Sequence, residues 1–398
     1  MFDDNPPAPP APPPAPRPAN PRRERLLNAA ISLALSVFVA WLATRGIVVP
    51  VPVLVVAEPT APTTLPKIDP PAALAFGWND TPELIAVAKA NVKTVFRSTP
   101  AGADTPLPKS VYQWQTRQRV TGRPKPEKNQ NPVGSCVAFG STTAAENALA
   151  CAVAAGVPFE FIEFSEEVAY ALTRVDIGRG ELRGQDGAVG GWAARAWTEL
   201  GGLPQGKFDG VDYTDYDPAR CRKLGDNGVS VKVKAECAKF RVGDAALLRT
   251  WLDVKKALAS GCGVFTCSRI GFSASRDING VCVEQGQWGH CMNIDGYHVT
   301  EDGYEYAHFD NSWNGFYHRG PVGWGEPNGA GFWAKSSTVA RMLSEGDSYA
   351  LSAVKGMPLL ELNWDVMRPA RPFADPYALL RPGVRPMADH LKQLHLAP

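Results

Sequence analysis

The chain has 398 residues, 44% of them hydrophobic and 20% charged, with 41 basic against 40 acidic side chains and a formal charge of +1. That length allows about two domains, or one large core with appendages, and the balanced charge argues against a nucleic-acid binder. The 8 cysteines are sparse for a disulfide scaffold of this length, and none shows the paired CxxC spacing of a zinc module.

Residues 1–25 begin MFDDNPPAPPAPPPAPRP and carry too little apolar surface for a core, so a disordered, polyproline-like cytoplasmic tail is expected. Residues 26–46 read as a transmembrane signal anchor. The stretch Leu26 to Ala43, LLNAAISLALSVFVAWLA, has no charge. At about 1.5 Å per residue it spans roughly 27 Å of a bilayer core about 30 Å thick. Arg17, Arg22, Arg23 and Arg25 precede it and only Arg45 follows closely, which keeps the N-terminus cytoplasmic and exports the rest. A cleaved signal peptide, with Val55-Val56-Ala57 as a late cleavage site and a secreted product, and a buried core helix are the competing readings.

Residues 47–106 form a Pro-punctuated tether with one short helix, opened by Thr81, Pro82 and Glu83 and carrying Leu84, Ala88, Val92 and Val95 on one face. This helix is read as docking on the main domain rather than as a remnant inhibitory prosegment, because one helix has little area to occlude a cleft. The folded domain is placed at 107–358. Its front half predicts helices at 135–155, from Ser165, at 191–200 and at 244–259. Its back half, with GVFTCSRI, HCMNIDGYHV, YEYAHFDNSW and GFWAKSS, predicts strands, which makes an α+β fold. Residues 359–398, with Arg368, Arg371, Arg381 and Arg385, read as a solvated Pro/Arg-rich tail.

Cys136 follows Gly134-Ser135 at the start of the Ala-rich helix, where the helix dipole and free N–H groups favour a thiolate. Amide cleavage also needs a proton carrier near neutrality, and of the 6 histidines His290, His298, His308 and His318 lie in the folded region.

LPKSVYQW, NQNPVGSCVAFGS, GQDGAVGGW, GHCMNIDGY and NSWNGF with VGWGEPNGAGFW, in this order along the chain, together resemble the papain/cathepsin family of cysteine peptidases over roughly residues 107–355. The chain is similar to a divergent member of prokaryotic or phage type. The resemblance implies a papain-like two-lobe fold, here expected behind the N-terminal transmembrane helix read above, with Cys136 on a helical lobe and His290 and Asn311 on a β-rich one. It implies Cys136 as nucleophile, His290 as acid/base partner, Asn311 as its orienter and Gln130 with the Cys136 N–H as oxyanion donors. Gly190, Gly191 and Asp186 of the glycine segment and Trp313 are the implied substrate-side residues. Asp186 reads more simply as a turn former, and Trp313 as an aromatic shielding the Asn–His bond.

Val133 and Gln185 stand where many relatives carry paired cysteines, so that cross-link is expected to be absent, and no long inhibitory prosegment is evident between Pro71 and Asp104. The expected activity is thiol-dependent peptide-bond hydrolysis on the extracytoplasmic side of a membrane, on a protein or peptide substrate, with no metal, organic cofactor or nucleic acid. A catalytically silent binding module and a thiol amidase acting on cell-wall peptides are the alternatives.

Overall fold

The strand Glu284–Val299, 16 residues long, is the spine of the molecule. Its second half is buried almost without interruption, because elements cover both of its faces. This computed structural model describes residues 74–92, 94–96, 106–314, 317–326 and 331–353. The expected membrane segment, most of the tether and the Arg-rich tail lie outside them. Among the described residues no helix is long and apolar enough to cross a membrane.

Around the spine the sheet runs in the order Thr94–Val95, Asp244–Leu247, Ser348–Ser352, Gly263–Phe272, Glu284–Val299, Glu305–Asp310, Gly331–Lys335. Ser110–Tyr112 adds to the spine's far end, opposite Gly296 to His298. All pairings along this order are antiparallel except that of Thr94–Val95 with Asp244–Leu247. Against it lie helices Gln113–Thr121, Cys136–Ala154, Gly190–Glu199, Trp251–Ala259 and Ser336–Ser344, while Glu166–Ala171, running on into a π-helical turn Leu172–Ile177, and Pro218–Asn227 pack on other helices, and Val231–Cys237 follows in the chain. The helical front and strand-rich back expected from the sequence are present as an α+β fold.

The Ala-rich helix Cys136–Ala154 is buried along nearly its whole length, since it packs both on the sheet and on the surrounding helices. Its approach to the sheet is close. A Cβ on Gly263 would lie 1.7 Å from the Ala144 carbonyl oxygen, so only glycine fits there. Buried ions fix the helix as well: Glu146 takes Arg117 at 2.9 Å and Lys128 at 2.9 Å, and Lys128 also reaches Glu166 at 2.6 Å. A second buried set holds Lys125 between Asp295 at 2.9 Å and Asp310 at 2.6 Å.

One expected helix is corrected. Only Trp251–Ala259 is helical, entered through a capping box of Thr250 and Asp253, whereas Asp244–Leu247 is a strand. The run DAAL has no strong strand propensity, but both of its edges are taken by neighbours, and pairing overrides propensity there. GFWAKSS is split the other way, with the strand ending at Lys335 and a helix beginning at Ser336. The helix opened by Pro82 spans Pro82–Asn91 and docks on Gly190–Glu199, as expected, although Thr81 makes no side-chain cap bond.

Candidate active site

Cys136 is the first residue of its helix, with Ser135 at the N-cap, and its side chain is wholly buried. His290 and Asn311 come from adjacent strands: His290 lies within Glu284–Val299, and Asn311 just beyond Glu305–Asp310. His290 Nε2 and Asn311 Oδ1 are 3.0 Å apart. His290 Nδ1 has no hydrogen-bond partner, although it is buried. The residue after it, Cys291, turns its backbone N–H toward the Cys136 thiol.

Trp313 stacks on the His290 ring with centroids 4.3 Å apart and an interplanar angle of 23°. It seals the Asn–His bond from solvent, which strengthens that bond. Gln130 is fully buried, and its orientation is set by Ser312, whose hydroxyl donates to Gln130 Oε1 at 2.6 Å. Its Nε2 therefore faces outward to carbonyls, those of Ala75 and Val133, each at 3.0 Å.

Ala75 belongs to a segment that sequence reasoning did not assign to the site. Residues 75–79 cross it. Gly77 and Trp78 donate their N–H groups to the carbonyl of Gly289, at 3.1 and 2.9 Å. Ala188 donates to the Gly77 carbonyl at 2.8 Å, and Asn79 to the Ala188 carbonyl at 2.8 Å, a parallel bridge on the glycine segment. The Gly77 N–H also points at Cys136, and the Phe76 ring meets His290 and Trp313 edge-on at 6.1 and 5.3 Å. The only advance signal was a glycine between two aromatics ahead of a helix start. A Cβ on Gly77 would sit 2.0 Å from the Gly134 carbonyl oxygen, which is why glycine stands at the closest approach.

The glycine segment divides its labour. Gly187 and Ala188 face the covering strand, whereas Gly190 and Gly191 begin a helix and donate their N–H groups to Asp347, at 2.7 and 2.8 Å. The amides of Gly190 and Gly191, expected on the substrate side, are thus taken up at the helix N-terminus by the buried carboxylate. Asp186 accepts from Gly134 N–H at 3.0 Å and pairs with Arg222 at 3.2 Å, tying the glycine segment to the nucleophile loop.

Electrostatically the covered site is at rest. Burial, and next the Cys291 thiol, push the Cys136 thiol well above its usual range, outweighing the amides of Cys291, Gly77 and Val137 that favour thiolate. Burial lowers His290 to about 4, against the pull of Asn311. A neutral thiol and a neutral imidazole are therefore the forms held here. All 8 cysteines are free and buried.

Residues 108–328, more than half of the chain, match the family described as papain family cysteine protease. The chain belongs to the papain family of cysteine proteases, and with that it is a peptidase of the hydrolase class. Among solved structures it is similar to xylellain, a cysteine protease from Xylella fastidiosa, at 14% identity over 71% of this chain and 92% of that one, with a TM-score of 0.43. Procathepsin B S9 from Trypanosoma congolense follows at 13% identity, covering 71% and 87%, with a TM-score of 0.44. Procathepsin L 3 of the Tenebrio molitor larval midgut gives 17%, 68%, 78% and 0.40. No curated protein matches.

Proposed function

We propose that this chain is a latent cysteine endopeptidase working through Cys136, His290 and Asn311. The observation carrying the reading is the division of the His290 ring: Nε2 is engaged by Asn311, and Nδ1 is buried without a partner, on the strand whose Cys291 N–H meets the Cys136 thiol. When residues 75–79 leave the cleft, water and substrate enter and the cost of burying charge falls, so the Cys136 proton can pass to His290 Nδ1. The thiolate attacks the scissile carbonyl, and the oxyanion takes the Cys136 N–H and the Gln130 amide now released from Ala75. His290 Nδ1–H then protonates the leaving amine, and water hydrolyses the thioester by the same route in reverse.

Ala188 and the Gly289 carbonyl, which pair with the covering strand, would pair with an extended substrate backbone instead. The charge-free run Leu26–Ala43 and the arginines before it support anchoring in a membrane with the peptidase domain on the extracytoplasmic side. Protease added to intact cells reaching residues 107–358 checks that orientation.

The complete burial of Cys136 also favours a second reading, a silent binding module whose cover never leaves. One experiment separates the two. The full-length chain and its Gly77→Val form are treated with a thiol-directed epoxide and a mixed peptide library, beside Cys136→Ala and His290→Ala. Labelling and cleavage that appear with the cover displaced and vanish in both controls support the peptidase. A folded Gly77→Val chain with an accessible thiol and no cleavage favours the silent module.

A further inference from the structure

His318 plays no part in the steps above, yet it is buried directly behind Asn311. Its Nε2 lies 2.9 Å from Asn311 Nδ2, and its Nδ1 lies 3.1 Å from the Ser273 carbonyl oxygen and 3.4 Å from the Cys282 sulfur. Phe332 packs on the ring with centroids 4.1 Å apart, and Tyr317 closes it edge-on at 4.8 Å.

A carbonyl oxygen only accepts, so the Ser273 end of this chain has a fixed polarity. His318 must carry its proton on Nδ1, because the other tautomer would set a ring lone pair against the carbonyl's. Its Nε2 is then a bare acceptor, and the group facing it must be a donor, which makes it the Asn311 amide nitrogen. Asn311 is left to present Oδ1 to His290, and His290 must hold its own proton on Nε2. The nitrogen without a proton is Nδ1, the one left without a partner in the fold. We infer that His318 is a positioning residue that fixes the Asn311 amide and, through it, the reactive tautomer of His290.

Without His318, the Asn311 amide loses its reason to prefer one face. A flipped amide offers Nδ2–H to His290 Nε2, which suits the tautomer protonated on Nδ1, where no proton can be taken from the thiol. It also withdraws the acceptor that supports the imidazolium. Burial lowers His318 to about 3, so the ring keeps its acceptor across the working pH range.

This inference rests on the peptidase reading for its consequence, but its geometry can be read without catalysis. The full-length chain, labelled with 15N-histidine, reports tautomers by NMR. Wild type is expected to show His318 protonated on Nδ1 and His290 on Nε2. His318→Phe is expected to give a mixture at His290, whereas His318→Gln, which returns an amide oxygen at the position of Nε2, retains the single form. His318→Asn keeps a donor toward Ser273 but lacks that acceptor, and is expected to behave like Phe.

In hydrolysis, His318→Phe should lower kcat by 10-fold or more with KM within 2-fold, and should move the alkaline limb of the pH profile to lower pH. Within an Asn311→Ala background the same replacement should change kcat by less than 2-fold. A pure His290 Nε2–H tautomer in both the Phe and the Asn variant overturns the proposal, as does an undiminished loss in the Asn311→Ala background. Expected tautomers in a wild-type chain that cleaves nothing would support the positioning role and count against the peptidase reading alone.

Discussion

The indole N–H of Trp78 donates to Asp347 Oδ2 at 2.8 Å, joining the strand that covers the thiol to a residue 269 positions further along the chain. The same carboxylate receives the amides of Gly190 and Gly191. One buried group thereby holds together the cover, the glycine segment and the strand Ser348–Ser352 that follows it.

Removing that indole donor should loosen the cover. A hydrogen bond to a charged group contributes roughly 1.5–3 kcal/mol, and about 1.4 kcal/mol corresponds to a tenfold change in a population. Trp78→Phe is therefore expected to speed alkylation of Cys136 by about tenfold or more, measured as the iodoacetamide rate in the full-length chain. An unchanged rate would mean that the covering strand is held by its backbone bonds alone.

Gly77→Val acts on the same strand by sterics. Its Cβ would be 2.0 Å from the Gly134 carbonyl oxygen, a contact that backbone cannot absorb by a side-chain rotation. Expulsion of residues 75–79 should expose the thiol and permit hydrolysis, while thermal unfolding shifts down, because buried Trp78 leaves its core cluster with the strand. A large drop in melting temperature without thiol exposure would count against an independent cover.

Arg117→Met tests the buried ions under the nucleophile helix. Arg117 and Glu146 are each about fully buried and 2.9 Å apart. Removing one partner of such a pair typically costs about 3–5 kcal/mol, because the other is left uncompensated. Lys128 remains on Glu146 and holds the loss toward the lower end. Urea unfolding should show the drop, and the double replacement Arg117→Met with Glu146→Leu should recover part of it.

The buried histidines set opposite pH limits. Burial opposes charge on His308, but the Asp295 carboxylate at 2.5 Å, by charge and hydrogen bond, outweighs it and holds the pKa up to about 9. With an unfolded value of about 6.5, that stabilisation is complete below about 6.5 and is lost as pH rises through 9. His290 and His318 run the other way. Burial lowers them to about 4 and about 3, so their neutral forms favour folding above about 6.5 and the benefit falls as pH drops through those values. Urea midpoints should decline on both sides of neutrality. The alkaline decline should flatten in His308→Gln.

Much of the site could be read along the chain because its chemistry comes from local motifs. A cysteine at a helix start, a histidine inside a strand and an asparagine ahead of Trp313 each carry their context in a few neighbouring residues, and the helix over 135–155 and the four late strands follow from composition and turn signals. Asp244–Leu247 was misread because its strand state comes from partners at residues 94–95 and 348–352, which no local window contains. Gly190 and Gly191 were placed in the cleft because the glycine run is continuous in sequence, while the helix start that divides it depends on Asp347 far away.

What the sequence by itself determined is the family, the α+β class and the candidate residues Cys136, His290 and Asn311, since these rest on residue type and spacing. Only the tertiary structure decided that residues 75–79 lie over Cys136, that Gln130 donates to Ala75, and that His318 stands behind Asn311. The first two are contacts between segments tens of residues apart, and the third depends on Ser273, 45 positions before His318. Which donor meets which acceptor there depends on how strands and helices close on one another, and a backbone carbonyl such as that of Ser273 offers the same chemistry at every position until the fold points it at a ring.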